Sequence, residues 1–173
     1  MKKRICLLLL LMLLMQSLAS CAQALERDYF AYRSGDFVGE VRGSMNGVAF
    51  CAAVDLQKVG DEWRVSVSYL APDVLEGCVI SAVCDAKGMP IGKLEMHRSE
   101  ESFVGDGVVF SGLLRPASLW LLQAEIASVQ KNGGEYLLTF STGEIMRLRE
   151  DGFPILLSGD DFSMEMVWIE RRR

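Results

Sequence analysis

"GVAFCAAVDLQKVGDEWRVSVSY", residues 47–69, decides the fold class. Val48, Phe50, Ala52, Val54 and Leu56 alternate with Ala49, Cys51, Ala53 and Asp55, and after a polar break Val65, Val67 and Tyr69 alternate with Arg64, Ser66 and Ser68. An apolar period of two puts one set of side chains on a buried face and the other towards water, which is the pattern of a half-buried strand and not of a helix.

The same reading extends along the chain. Strands are expected over 37–43, 77–84, 91–97, 107–113, 135–141, 144–149 and 161–170, each bounded by Gly, Asp, Asn or Ser. Asn132 and Gly133 in "KNGGE" suit the positive φ angles of a tight hairpin, and "STGE" and "EDGF" supply two further turns. Strands joined this closely form an antiparallel meander. One segment departs from the pattern: in "RPASLWLLQAEIASVQ", Pro116 stands at a helix start, and Leu119, Leu122, Ile126 and Val129 recur at helical spacing beside Trp120. A short helix is expected near 116–124, while the later half reads equally well as a strand entering the Asn132 turn. The fold class is thus mainly β (α+β), with an apolar helix that must lie against the sheet.

The chain opens on Lys2, Lys3 and Arg4, an apolar run from Ile5 to Met15, and the small residues Ala19 and Ser20, the three-part layout of a secretory signal peptide. Eleven apolar residues fall short of the roughly 20 that a membrane-spanning helix needs. Leu18, Ala19, Ser20 and Cys21 resemble the bacterial lipobox, which implies cleavage before Cys21, a diacylglyceryl group on its sulfur and an N-acyl chain such as palmitate on its amine. Two or more acyl chains on one residue make a stable anchor where one holds only marginally. Ala22, Gln23 and Ala24 offer the competing A-x-A site, whose cleavage would release a soluble product. The expected organisation is a signal peptide over 1–20, a lipidated tether over 21–36, a single domain over 37–170 and a basic tail over 171–173. The tether's Tyr29, Phe30 and Tyr32 suit a short helix packed on the domain better than a free linker.

The net charge of −5 includes the three leader cations, so the chain from Cys21 onward stands at −8. Nucleic acid, which demands clustered Lys and Arg, is not an expected partner. Beyond Cys6 and Cys21 there are Cys51, Cys78 and Cys84, with no C-x-x-C pair and a single histidine, His97, so no metal or other cofactor is expected. One disulfide with one free thiol, or three reduced thiols packed as small apolar groups, both fit.

"YLAPDVLEG" (69–77) resembles the P-x-x-L-x-G element of small lipoproteins from Firmicutes in the LolA/LolB-like superfamily, and the short helix, the hairpin at Asn132 and "DGFPILLSGDDFSMEMVWI" follow the same order of elements. The resemblance implies a strongly curved antiparallel sheet, a half-open β-barrel, with one or two short helices against its concave face. It also implies a hydrophobic hollow that binds acyl chains or lipoproteins, or a lipid-anchored interaction module in the envelope. Candidate lining residues are Trp120, Leu119 and Leu122 from the helix and Phe162, Met164, Met166 and Trp168 from one face of the last strand. An apolar strand face capped by a helix is equally what any folded sheet requires.

No catalytic residue is expected. His97 is the only imidazole, no G-x-S-x-G elbow surrounds a serine, Asp160 and Asp161 in "SGDDF" read first as a turn, and "GDGVVFSG" lacks a phosphate-binding lysine. The expectation is therefore a non-enzymatic lipoprotein on the extracytoplasmic face of the cell membrane, or on the outer membrane if the organism has one. It would bind an acyl chain, lipid or lipoprotein, or alternatively recruit an envelope, cell-wall or sporulation-related protein.

Overall fold

A computed structural model describes residues 28–172, so the leader, the lipobox residues Leu18, Ala19 and Ser20, the lipidation position Cys21 and Arg173 lie outside the described residues. The described chain is one 11-stranded antiparallel sheet that does not close, with one short helix. Six strands come first: β1 (Phe37–Met45), β2 (Val48–Val59), β3 (Glu62–Ala71), β4 (Cys78–Cys84), β5 (Pro90–Arg98) and β6 (Glu101–Asp106). A helical crossover follows, made of a 3₁₀ turn (Ser111–Leu114), α1 (Arg115–Ser118) and a second 3₁₀ turn (Leu119–Leu121). Five more strands complete the chain: β7 (Ile126–Asn132), β8 (Glu135–Phe140), β9 (Ile145–Arg149), β10 (Pro154–Ser158) and β11 (Phe162–Arg171).

The spatial order is β6-β5-β4-β3-β2-β1-β11-β10-β9-β8-β7, so two meanders are joined where β1 pairs with β11. β6 and β7 are the two open edges, and the crossover carries the chain from one to the other. Apolar side chains of both meanders and the crossover share one core, Val54 and Val67 with Leu138, Met146 and Trp120, so the sheet wraps around that core as a half-open barrel. The alternation read from the sequence is the burial pattern found from Phe50 onward: Phe50, Ala52, Val54 and Leu56 on β2 and Trp63, Val65, Val67 and Tyr69 on β3 face the core, while Val48, read on the same face, is 57% exposed beside the β1–β2 hairpin.

Turns alternate between two rims. The upper rim holds the β1–β2, β3–β4, β5–β6, β8–β9 and β10–β11 connections, and the lower rim holds β2–β3, β4–β5, β7–β8, β9–β10 and the start of the crossover. In the β1–β2 hairpin Asn46 and Gly47 have φ of 50° and 76°, the two consecutive positive angles of a type I′ turn. The β7–β8 turn is shifted by one residue from the expected Asn132-Gly133. Gly133 (56°) and Gly134 (87°) take the positive angles, and Asn132 closes the strand opposite Glu135.

Three sequence expectations are corrected. Residues 107–113 are not a strand, because Asp106 Oδ1 accepts the backbone N–H groups of Val108 (2.9 Å) and Val109 (3.1 Å) and turns the chain into the crossover. The helical segment spans 111–121, starting earlier than 116–124, and is mostly 3₁₀; from Ile126 the chain is strand β7, one of the two readings left open. β6 and β10 are strands that the alternation did not mark.

Candidate functional site

The concave face is covered by two pieces of chain. Over β2, β3 and β4 lies the crossover, whose Leu114, Ala117, Trp120 and Leu121 are wholly buried. Over β8 lies the N-terminal segment: Tyr29 meets Tyr136 edge to face at 5.5 Å, and Phe30 stacks with Phe140 at 6.2 Å. The segment continues into a 3₁₀ turn, Ala31–Ser34, that buries Tyr32.

These two pieces are locked to each other through the backbone. Tyr32 donates its hydroxyl to the Trp120 carbonyl at 2.6 Å, and Arg33 Nη2 donates to the Leu122 carbonyl. Burial pushes the Tyr32 phenol above its ordinary range, so it stays a neutral donor. Tyr69, raised by burial to about 12, donates to the Leu113 carbonyl at 2.9 Å and ties the crossover to β3. Trp120 Nε1 donates to the Pro116 carbonyl at 2.9 Å, which satisfies the indole inside the apolar core. At the upper rim Arg115 pairs with Asp161 of the β10–β11 turn. The crossover is thus a plug whose apolar face fills the concavity, with polar ties inside the core at Tyr32 and Trp120 and at its margin to Asp161.

The seven residues proposed to line a hollow divide into three groups. Trp120, Met164 and Met166 are in the packed core, with Phe162 buried at its upper margin. Leu119 and Leu122 are half-buried and line an apolar opening of about 280 Å³ with Lys87, Gly88, Met89, Pro90, Ser111, Arg115 and Ser118. Trp168 is not on that face: it is 47% exposed on the convex side. The register explains why, since Val41 pairs with Met166 and Glu40 with Trp168, leaving Val167 as an extra residue whose bulge reverses the alternation. On the convex side Trp168 joins Glu40, Arg42 and Cys51. Partial desolvation opposes the Glu40 charge, but hydrogen bonds from Arg42, Cys51 and Trp168 hold its carboxyl below the ordinary range.

The convex face carries a second, polar groove of about 460 Å³ over β2 to β5. Ser66 and Ser81 form part of its floor, with Gln57, Arg64, Lys93 and Glu95 around them, and Asp55 is paired with Arg172 at 2.7 Å. Sequence reasoning missed it because the signal is the row of short side chains across adjacent strands, visible only once Asp55, Ser66, Ser81 and Glu95 are in register. His97 lies on β5, half exposed, 3.8 Å from Glu95.

An uncharacterized conserved protein from Thermus thermophilus superposes with a TM-score of 0.52 over 88% of this chain and 88% of its own, at 13% identity. The half-barrel is a shared fold. Two weaker likenesses are a domain from Vibrio parahaemolyticus named for outer membrane lipoprotein sorting (TM-score 0.42, 9% identity, covering 90% of this chain and 91% of that one) and a DUF1329 family protein from Desulfovibrio piger ATCC 29098 (0.46, 10%, 83% and 91%). No family model matches the chain, and neither does any curated protein.

Proposed function

We propose that this is a lipid-anchored, non-enzymatic protein of the extracytoplasmic membrane face, whose half-barrel binds a hydrophobic ligand, an acyl chain of a lipid or lipoprotein, by displacing the crossover plug. The observation that carries the reading is the plug itself. An 11-residue segment, 111–121, covers β2, β3 and β4 in a core that also holds Met146, Met164 and Met166, and it reaches solvent at Leu119 and Leu122. Methionine adapts to irregular apolar partners, and a ligand that displaces the segment replaces the contacts of Leu114, Ala117, Trp120 and Leu121 with apolar contacts of its own. What supports the anchor is the resemblance of Leu18, Ala19, Ser20 and Cys21 to the lipobox.

A second reading is favoured by the edge strand β6. Its Phe103 and Val104 are 44% and 55% exposed, and its outer backbone groups face no strand. An open edge of this kind recruits a partner strand, which would make the domain an anchored module for an envelope, cell-wall or sporulation-related protein.

Native mass spectrometry of the Cys21→Ser protein, purified without detergent and incubated with cell lipids, separates the two. A stoichiometric bound lipid or fatty acid, lost on replacing Leu119 and Leu122 by Asp, supports the carrier. A clean unliganded mass moves the function to the β6 edge.

A further inference from the structure

We infer that the lower rim is the membrane-docking surface and that the loop over residues 107–110 enters the headgroup and acyl boundary; this rests on the anchored reading proposed above. The first observation is where the chain enters the domain. Asp28 directly precedes Tyr29, whose ring packs on Tyr136, two residues after Gly134 of the lower-rim turn, with the Lys131 ammonium 5.3 Å from the Tyr136 ring centre. Cys21 lies seven residues before Asp28 in the sequence. Even fully extended, that stretch spans no more than about 25 Å. A lipid on Cys21 therefore keeps the domain within about 25 Å of the bilayer, with Tyr29 entering beside the lower-rim end of β8.

The second observation is the loop. Val108 and Val109 are 63% and 74% exposed, although the loop is well fixed. Gly107 N–H donates to the Gly92 carbonyl at 2.9 Å, Asp106 Oδ1 accepts from both valine N–H groups, and Ser111 Oγ donates to the Val108 carbonyl at 2.9 Å. Met89 and Ile91, 51% and 47% exposed, stand beside it on the neighbouring hairpin. A braced turn that still presents an aliphatic pair to water has the form of an interfacial wedge.

Charge supplies the third. All four lysines of the described residues, Lys58, Lys87, Lys93 and Lys131, lie towards the lower rim, together with Arg171 and Arg172 at the end of β11. The upper-rim connections carry Asp73, Glu76, Glu100, Glu144, Asp160 and Asp161 and no lysine. The lower-rim connections carry Asp61, Asp85, Glu150 and Asp151 as well, so what sets the lower rim apart is its lysines and not an absence of acid: lysine stems there reach along the headgroups of an anionic leaflet, and the upper-rim connections offer none. Val74, as exposed as Val109 at 74%, sits on the upper rim and serves as the control.

The test uses the full chain, produced with its lipid and reconstituted into vesicles of phosphatidylethanolamine and phosphatidylglycerol. In a Cys51→Ser background, Val109→Cys or Val74→Cys carries a nitrobenzoxadiazole probe, and nitroxide-labelled acyl chains act as the quencher. A probe within the acyl boundary at 109 should lose about half of its fluorescence, with a blue-shifted emission, while the probe at 74 keeps its own. Equal, water-like behaviour at both positions in vesicle-bound protein overturns the docking surface and leaves the anchor standing; quenching at 74 alone inverts the orientation. Failure of the protein to float with the vesicles, with no acyl mass on Cys21, removes the anchored reading and this inference together.

Discussion

Arg115 lies alongside Asp161 as a two-point pair, Nη1 to Oδ2 at 2.8 Å and Nη2 to Oδ1 at 3.2 Å, and fastens the crossover to the turn that precedes β11. The guanidinium stands 5.4 Å from the Phe162 ring centre, so one cation closes the upper margin of the plug against both an acid and an aromatic face. The hydrogen bonds from Arg115 hold the Asp161 carboxyl below its ordinary range. A depressed folded pKa contributes stability that is present above the unfolded value of about 4 and lost as pH falls through the folded value. Asp161→Asn should therefore lower Tm at pH 7, and the gap to the parent protein should close in acid. A gap that is constant from pH 7 to 2 would show that the pair is not its source. The same variant should take up more of an apolar dye at pH 7, because the plug is less firmly held.

Trp120 is wholly buried and is bonded at both ends, its indole to Pro116 and its carbonyl to Tyr32. Trp120→Ala removes the largest side chain of the plug and is expected to cost about 3–5 kcal/mol. In a domain of this size that corresponds to roughly 10 °C in Tm. Urea unfolding should show a lower midpoint at an unchanged slope. A loss below about 1 kcal/mol would mean that the plug is not packed as described.

Of the three tryptophans, Trp63 and Trp120 are buried while Trp168 is half exposed on the convex face. Iodide should quench one component of the protein's fluorescence, and Trp168→Phe should remove that component. Retention of the quenchable signal in Trp168→Phe would return Trp168 to the core.

What the sequence revealed and what it hid follow from one distinction. Strands with one wet and one dry face, β2 and β3 above all, announce themselves by alternation, and the β7–β8 hairpin by the glycines of "KNGGE", read one residue early at Asn132-Gly133; the sequence reading leaves the Asn46-Gly47 turn unmarked. β6 was hidden because an edge strand with nearly every residue exposed has no alternation to read, and β10 because Pro154, Ile155, Leu156 and Leu157 form a short apolar run without a period. The valines at 108 and 109 suggested a strand that Asp106 converts into a turn by capping their N–H groups. The position of Trp168 depends on a bulge in the pairing with β1, and pairing register is a property of two strands that neither shows alone. The lining residues suffered the same limit: apolar periodicity located the concave face, but the filling of that face by Trp120 and Leu121 is a three-dimensional fact.

The junction of the two meanders leaves no room for a side chain at Gly43. A Cβ there would stand 2.0 Å from the Ser163 carbonyl oxygen and 2.9 Å from Met164 Cα, both backbone atoms that cannot move without opening the β1–β11 ladder. Gly43→Ala is expected to destabilise by more than about 4 kcal/mol or to abolish folding, whereas Gly35→Ala, in extended backbone with nothing within 4 Å, should stay within about 0.5 kcal/mol. Circular dichroism melts of the two variants make the comparison, and equal Tm values would show that β1 and β11 are not paired at this register.

Thiol chemistry reads the same architecture from outside. Cys51, Cys78 and Cys84 are all free among the described residues; Cys51 is half-buried on the convex face, while Cys78 and Cys84 are buried. Burial, with a smaller contribution from the neighbouring Asp85 charge, pushes the Cys84 thiol up to about 12. The thiolate is the reactive form, so Cys84 stays protonated and inert at pH 8 in the folded protein. Iodoacetamide applied to the native Cys21→Ser protein at pH 8 should modify Cys51 and spare Cys84, and the two should react alike once urea unfolds the chain. Peptide mass mapping measures both, and prompt native alkylation of Cys84 would place β4 in water and contradict the core built around it.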